Sequence, residues 1–221
     1  MQTDHIGRFL NPDGGYLDIN GKSITGCCAF QGITAMQHEG AFDVFKQLLS
    51  DVRPSRILEI GTASGGLCLY LRQTLNDLGM SDVPIKTFDI HDTPTHRVLE
   101  AQNNLEVMYT NLFSRDYMTL QHPELIKDFI QSSGTTLVLC DGGNKINEFN
   151  LISSFIKPGD IIMAHDYSPN LEYFKEHIMN KVWCWMEIQD SDVSSACVEN
   201  NLQPFMATEF ANVVWLCCRK A

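Results

Sequence analysis

The sequence predicts an α/β protein built on a doubly wound, mostly parallel sheet, with helices on both faces and a small N-terminal hairpin extension. Three observations lead there. Short apolar runs alternate with helical-period segments from residue 56 onward. A glycine-rich turn, Gly61 to Gly66, joins the first run to an amphipathic segment. Later runs end in Asp89, in Asp141 and in His165-Asp166, residue types that do chemistry at the solvent edge of a sheet.

The elements follow in chain order. Asn11 to Gly15 is a turn signal, and Tyr16 to Ile19 and Lys22 to Thr25 flank Asn20-Gly21, a favoured two-residue hairpin turn. Residues 1–37 form the extension and 38–221 the main domain. From His38 to Leu49 the apolar positions recur with helical spacing until Pro54 closes the segment. Strands are expected at Arg56 to Gly61, Ile85 to Ile90, Leu105 to Thr110, Thr135 to Asp141 and Asp160 to His165, separated by helical stretches. Leu67, Tyr70, Leu71, Leu75 and Leu78 make one helix face, and Ile146, Phe149, Ile152, Phe155 and Ile156 another. Ser168-Pro169 reads as an N-cap and first helical position, opening a third face through Leu171, Phe174 and Ile178. Val182 to Ile188 reads as a strand, Ser191 to Asn201 as a polar helix and Val213 to Cys218 as the last strand. Trp183, Trp185 and Trp215 then sit in strands, mainly as core or interface residues, with stacking on a sugar as the lesser alternative.

Length and composition bound the function. A chain of 221 residues with 44% hydrophobic content suits one sizeable core. No run approaches the roughly 18 to 20 apolar residues of a membrane span, and the opening MQTDHIGRFLNPDGG lacks the order of a signal peptide, so a soluble, cytoplasmic protein is expected. The eight cysteines are scattered without a C-x-x-C pair, which argues for buried thiols, with Cys27 and Cys28 the most exposed, and against a structural zinc site. A net charge of −11 disfavours nucleic acid, whose binding needs Lys and Arg against phosphates, and leaves a small molecule or sugar as partner. The N-terminal element is a surface across which a homo-oligomer can pack.

The turn after the first strand carries the first chemical signal. Gly61, Gly65 and Gly66 let a ligand approach backbone N–H groups beside a helix N-terminus. Their Gly-x-x-x-Gly-Gly spacing departs from the Gly-x-Gly-x-x-Gly of dinucleotide sites, which disfavours a dehydrogenase. Asp89, closing the second strand, can accept hydrogen bonds from a ribose diol, with Asp92 as its rival. Gln37, His38 and Glu39 precede the first long helix and stand as a second tier of candidates.

The second signal is the pair DGGNK, residues 141–145, and GDIIMAHDY, residues 159–167. Parallel strands end on one edge, so Asp141, Asp166 and His165 can converge. Two carboxylates there suggest Mg²⁺ or another divalent cation, a hard ion that takes oxygen ligands and can activate a hydroxyl as a Lewis acid. His165 or Lys145 would then take the proton.

With these motifs in view, residues 56–166 resemble the class I S-adenosylmethionine-dependent methyltransferases, which have a Rossmann-like fold. The resemblance implies that the Glu59 to Gly66 stretch, Thr62 included, holds the methionine end of the cofactor and Asp89 the ribose, with Asn111 to Phe113 near the adenine. Asp141 would serve the metal or hold the cofactor amino group. The substrate side resembles the metal-dependent small-molecule and sugar O-methyltransferases related to cephalosporin hydroxylase and macrolide sugar methyltransferases. It departs from them where His165 replaces a carboxylate, Asn144 stands where His or Lys is often found, and Tyr167 follows the second acid. The expected activity is O-methylation of a small hydroxylated acceptor or sugar. Its rivals are a non-catalytic nucleotide-binding protein and a same-fold hydroxylase-like enzyme.

Overall fold

The computed structural model describes residues 28–179 and 181–221, together with two short N-terminal strands. Those strands, β1 (Phe9–Leu10) and β2 (Tyr16–Leu17), pair antiparallel. The hairpin expected about Asn20-Gly21 lies, beyond Tyr16–Leu17, outside the described residues. A second hairpin, not anticipated, pairs β3 (Ala29–Phe30) with β4 (Ile33–Thr34). Its turn, Gln31-Gly32, has φ of 50° and 80°, the pair of positive torsions that a two-residue turn needs to match strand twist.

Helix α1 (Ala41–Val52) buries Ala41, Phe45, Leu48 and Leu49, the stripe a 3.6-residue period puts on one face. It ends where Arg53 turns left-handed and donates its N–H to the Leu49 carbonyl, one residue before Pro54. The sheet then begins with β5 (Arg56–Ile60), followed by α2 (Gly66–Asp77), β6 (Ile85–Asp89), α3 (His96–Glu100) and β7 (Leu105–Tyr109). After α4 (Glu124–Gln131) come β8 (Thr136–Cys140), α5 (Lys145–Ile152) and β9 (Ile161–His165). The remainder holds α6 (Leu171–Tyr173) running into a π-helical turn, Phe174–Ile178, then α7 (Asp190–Glu199), β10 (Leu202–Pro204), α8 (Ala207–Ala211) and β11 (Trp215–Lys220).

The seven central strands lie in the order β10-β11-β9-β8-β5-β6-β7. β7, β6, β5, β8 and β9 are parallel, while β11 inserts antiparallel between β9 and β10. Alternate side chains enter two cores, as a period of two demands. Ile57, Leu137, Leu139, Ile161 and Met163 pack with Phe45, Leu71, Leu75 and Phe210. Leu58, Val138, Cys140, Ile162 and Ala164 pack with Ile126, Phe149, Ile152 and Val193 from α4, α5 and α7. Helices therefore cover both faces, and only the strand ends are left for chemistry. The amino edge is closed by structural polar groups: buried Asp160 accepts from the Thr136 N–H at 2.7 Å and from Lys157 Nζ at 2.8 Å.

Two expected elements differ. Val182 to Ile188 is an irregular loop, so Trp183 and Trp185 lie outside any strand while Trp215 begins β11. The helix after His165-Asp166 is capped by Asn170, whose side-chain oxygen accepts from the Tyr173 N–H at 2.8 Å, two residues beyond the expected Ser168. Among the described residues, no helix is long and apolar enough to cross a membrane.

Candidate active site

The strand order reverses at β5, whose neighbours are β6 and β8, and there the following loops part to leave a crevice at the carboxyl edge. Gly61, Asp89, Asn111, Asp141, His165 and Asp166 all stand at or just beyond that edge. Gly61 has φ of 93° and donates its N–H to the Phe88 carbonyl at 2.8 Å. A Cβ at this position would run into the Asp141 carbonyl, so the turn after β5 is pressed against the loop after β8. Asp89 accepts the Ala63 and His91 N–H groups, at 2.8 and 2.9 Å, and so fastens the glycine turn to the end of β6.

Two cavities flank this turn and share Gly61, Ala63, Asp141 and Gly142. The larger, of 410 Å³, is walled by Asp89, Asn111, Phe113 and Tyr117. The last two rings stack with centroids 5.5 Å apart. The smaller, of 160 Å³, is walled by Glu59, Thr62, Lys145, His165, Asp166 and Trp183, among others. Asp89 thus faces a cavity, while its rival Asp92 is spent on a surface pair with Arg97 at 3.2 Å. Gly65 and Gly66, expected at the cofactor, line neither cavity. Their missing side chains serve packing: a Cβ on Gly65 would meet Leu99 at 2.5 Å, and one on Gly66 would meet the Ile33 carbonyl at 2.5 Å.

Inside the smaller cavity Glu59 is fully buried and accepts from Thr87 Oγ1 at 2.5 Å. Thr87 in turn shares a 2.6 Å bond with Thr62 Oγ1. Burial pushes the Glu59 carboxyl up to about 8, the Thr87 bond opposing it. Glu148 folds back from α5 to accept the Gly142 and Asn144 N–H groups, both at 3.0 Å, and burial carries its carboxyl to about 7 against Lys145. Asn144 caps α5 by accepting from the Asn147 N–H, which explains its place in the DGGNK motif.

The carboxylates do converge, but around a lysine. Lys145 Nζ lies 2.9 Å from the Gly142 carbonyl, 3.1 Å from Asp166 Oδ2, 3.3 Å from Glu187 Oε2 and 3.9 Å from Asp141 Oδ1. The other oxygen of Asp166 accepts from Trp183 Nε1 at 2.7 Å. Asp141 Oδ2 accepts from Gln37 Nε2 at 2.7 Å, and Asp141 Oδ1 faces His165 Nδ1 at 3.0 Å. Gln37 is itself held by Trp215 Nε1 at 2.8 Å.

The Asp141 and Asp166 oxygens expected to bind a cation are in this structure taken by the Lys145 ammonium, Trp183, Gln37 and His165. Among the described residues no group of three or more His, Cys, Asp or Glu is arranged to hold a metal. For Lys145, expected as a proton acceptor, the surroundings favour the charged form. Burial alone would lower its pKa, but Asp166, Asp141, Glu187 and Glu148 together outweigh burial and raise it, so the amine stays charged at neutral pH. His165 is the other expected proton acceptor. Burial lowers its pKa, Asp141 and Asp166 raise it, and the net shift is upward. Its Nε2 is buried without a hydrogen-bond partner.

Gln37, ranked second from sequence, bonds directly to Asp141, whereas His38 spends its Nδ1 on the Gly40 N–H. Glu187, which no local motif marks, and Trp183, expected in the core or an interface, reach this edge only through long-range contacts. Of the thiols, Cys68, Cys140, Cys217 and Cys218 are buried, and Cys28 and Cys184 are half-buried.

No protein-family model matches the chain. Over 147 residues it is 21% identical to rhamnosyl O-methyltransferase of Mycobacterium tuberculosis, which covers 64% of this chain and 57% of that relative. The chain thus spans little more than half the length of the first relatives it matches. Over 205 residues it is 24% identical to phosphoethanolamine N-methyltransferase of Plasmodium falciparum, covering 87% of this chain and 73% of the relative. Among solved structures, an apo-structure of CmcI superimposes with a TM-score of 0.63 at 13% identity, over 91% of this chain and 79% of that one. CmcI with Mg and SAM gives 0.59 at 14% identity over the same shares. The Rossmann-like fold is common to all three chains.

Proposed function

We propose that this protein is an S-adenosylmethionine-dependent O-methyltransferase acting on a small hydroxylated acceptor, with sugars as the first class to try. The observation that carries the reading is the pair of cavities sharing the Gly61 turn: one has an acid and two aromatic rings, the other a buried His165–Asp141 pair. The names of the first relatives support the choice of an oxygen nucleophile and a sugar.

The residues fit the cofactor. Each oxygen of Asp89 accepts one backbone N–H and keeps a lone pair for a ribose hydroxyl. Asn111, Phe113 and Tyr117 offer an amide and stacked rings to a purine. Asp141 puts negative charge, and Glu59 a buried carboxyl that can share a hydrogen bond, where the sulfonium and amino group would lie. When bound, S-adenosylmethionine supplies an electrophilic methyl group on a good leaving group. The chain's task is to align a hydroxyl and receive its proton. Alignment can contribute about 7 to 11 kcal/mol in favourable cases. Asp141 accepts from His165 Nδ1–H, which fixes the tautomer and leaves Nε2 as acceptor. An acceptor hydroxyl donating to Nε2 satisfies a group otherwise buried unpaired, and passes its proton there as the oxygen attacks.

The test is formation of S-adenosylhomocysteine by purified protein across a panel of monosaccharides, phenols and amines, alongside calorimetry with S-adenosylmethionine. Turnover on a hydroxyl acceptor is expected. A folded protein that binds no S-adenosylmethionine ends the proposal, and binding without turnover on any acceptor returns the protein to the non-catalytic reading.

A further inference from the structure

We propose that the Lys145 ammonium is a built-in replacement for a divalent cation, so that this carboxylate cluster works without a metal. The inference refines the methyl-transfer reading above, but its geometric basis is independent of it. An ammonium has three N–H donors, and Lys145 has three acceptors within 3.3 Å: the Gly142 carbonyl, Asp166 and Glu187. The group is saturated and only 9% of its side chain is exposed. These distances suit N–H donors, whereas Mg²⁺ requires ligands at roughly 2.0 to 2.1 Å in near-octahedral array together with several waters.

Glu187 holds the lysine at both ends. One carboxylate oxygen accepts the Lys145 backbone N–H at 2.7 Å and the other lies 3.3 Å from Nζ. Because Lys145 opens α5 immediately after the Asn144 cap, its position is fixed by the helix as well as by its ion pairs. The oxygens turned away from Lys145 are also taken, by Trp183 on Asp166 and by Gln37 on Asp141. A cation entering the cluster would have to expel Lys145, and two positive charges cannot share the same three carboxylates cheaply. Acceptor activation then falls to His165, and the lysine organises Asp141 and Asp166 around it as a positioning residue.

Three measurements on the full chain, washed free of metal, test this. Manganese titration followed by electron paramagnetic resonance should show no stoichiometric site in the native protein up to about 1 mM, the weak end of protein cation sites. A stoichiometric site lost in Asp166→Asn overturns the proposal. Lys145→Ala should acquire one manganese per chain, removed again by adding Asp166→Asn. A folded Lys145→Ala protein that binds none also overturns it. Where turnover is found, chelator and added Mg²⁺ should give equal rates within about two-fold, and a loss of about ten-fold or more under chelator contradicts the inference. If no acceptor is methylated at all, the functional reading fails while the manganese measurements still decide the role of Lys145.

Discussion

At the scale of single residues, the site depends on contacts that admit few substitutes. Gly61 combines a positive φ with contact against the Asp141 carbonyl, so Gly61→Ala meets both torsional strain and a collision. Strain of this kind costs about 1 to 3 kcal/mol before any shift of the loop. Melting and cofactor calorimetry should show lower stability and weaker binding together, and an unchanged affinity would disprove the close approach. On the proposed mechanism His165→Gln removes the base but keeps a polar side chain. It should lower kcat by about 10² to 10⁴ while leaving cofactor affinity within a few fold, which single-turnover kinetics and calorimetry can separate. Asp89 and Asp141 were legible in the sequence because acids that close strands fall on the carboxyl edge whatever the loops do. Gln37 and Glu187 were not, since each reaches the cluster only through the tertiary fold. Lys145 was visible, but its charge state was not: the pull of Asp166, Asp141, Glu187 and Glu148 becomes apparent only when all four surround it.

At the scale of elements, the five parallel strands could be read within a residue or so from their apolar runs, because strands buried on both faces have nearly continuous hydrophobic sequence. The 182–188 segment misled for the same reason. Its tryptophans and valine mimic a strand, yet they are apolar because they wall a cavity and pack beside β11. The short strand β10 escaped notice, as three residues ending in Pro204 carry little pattern. Asn170 gives this scale its prediction. As the cap of α6 it bonds the Tyr173 N–H, so Asn170→Ala should lower stability by about 1 kcal/mol, and Asn170→Gly by only a few tenths, in urea titrations. Equal losses would mean that the cap does not hold the turn.

For the whole molecule, a buried acid couples stability to pH. Glu59 titrates near 8 in the folded chain and near 4.5 when unfolded. Below 4.5 both forms are protonated. Between 4.5 and 8 only the unfolded chain loses its proton, so this group lowers stability as pH rises, by up to about 1.4 kcal/mol per unit. Glu59→Gln should flatten that decline, and parallel curves of urea midpoint against pH for the two proteins would refute it. Connectivity has its own consequence. Gln37 donates to Asp141 while accepting from Trp215, which lies 178 positions away in the chain. A chain that stopped short of Trp215 would lack the donor that holds Gln37, so the bond from Gln37 to Asp141 depends on the last strand of the sheet.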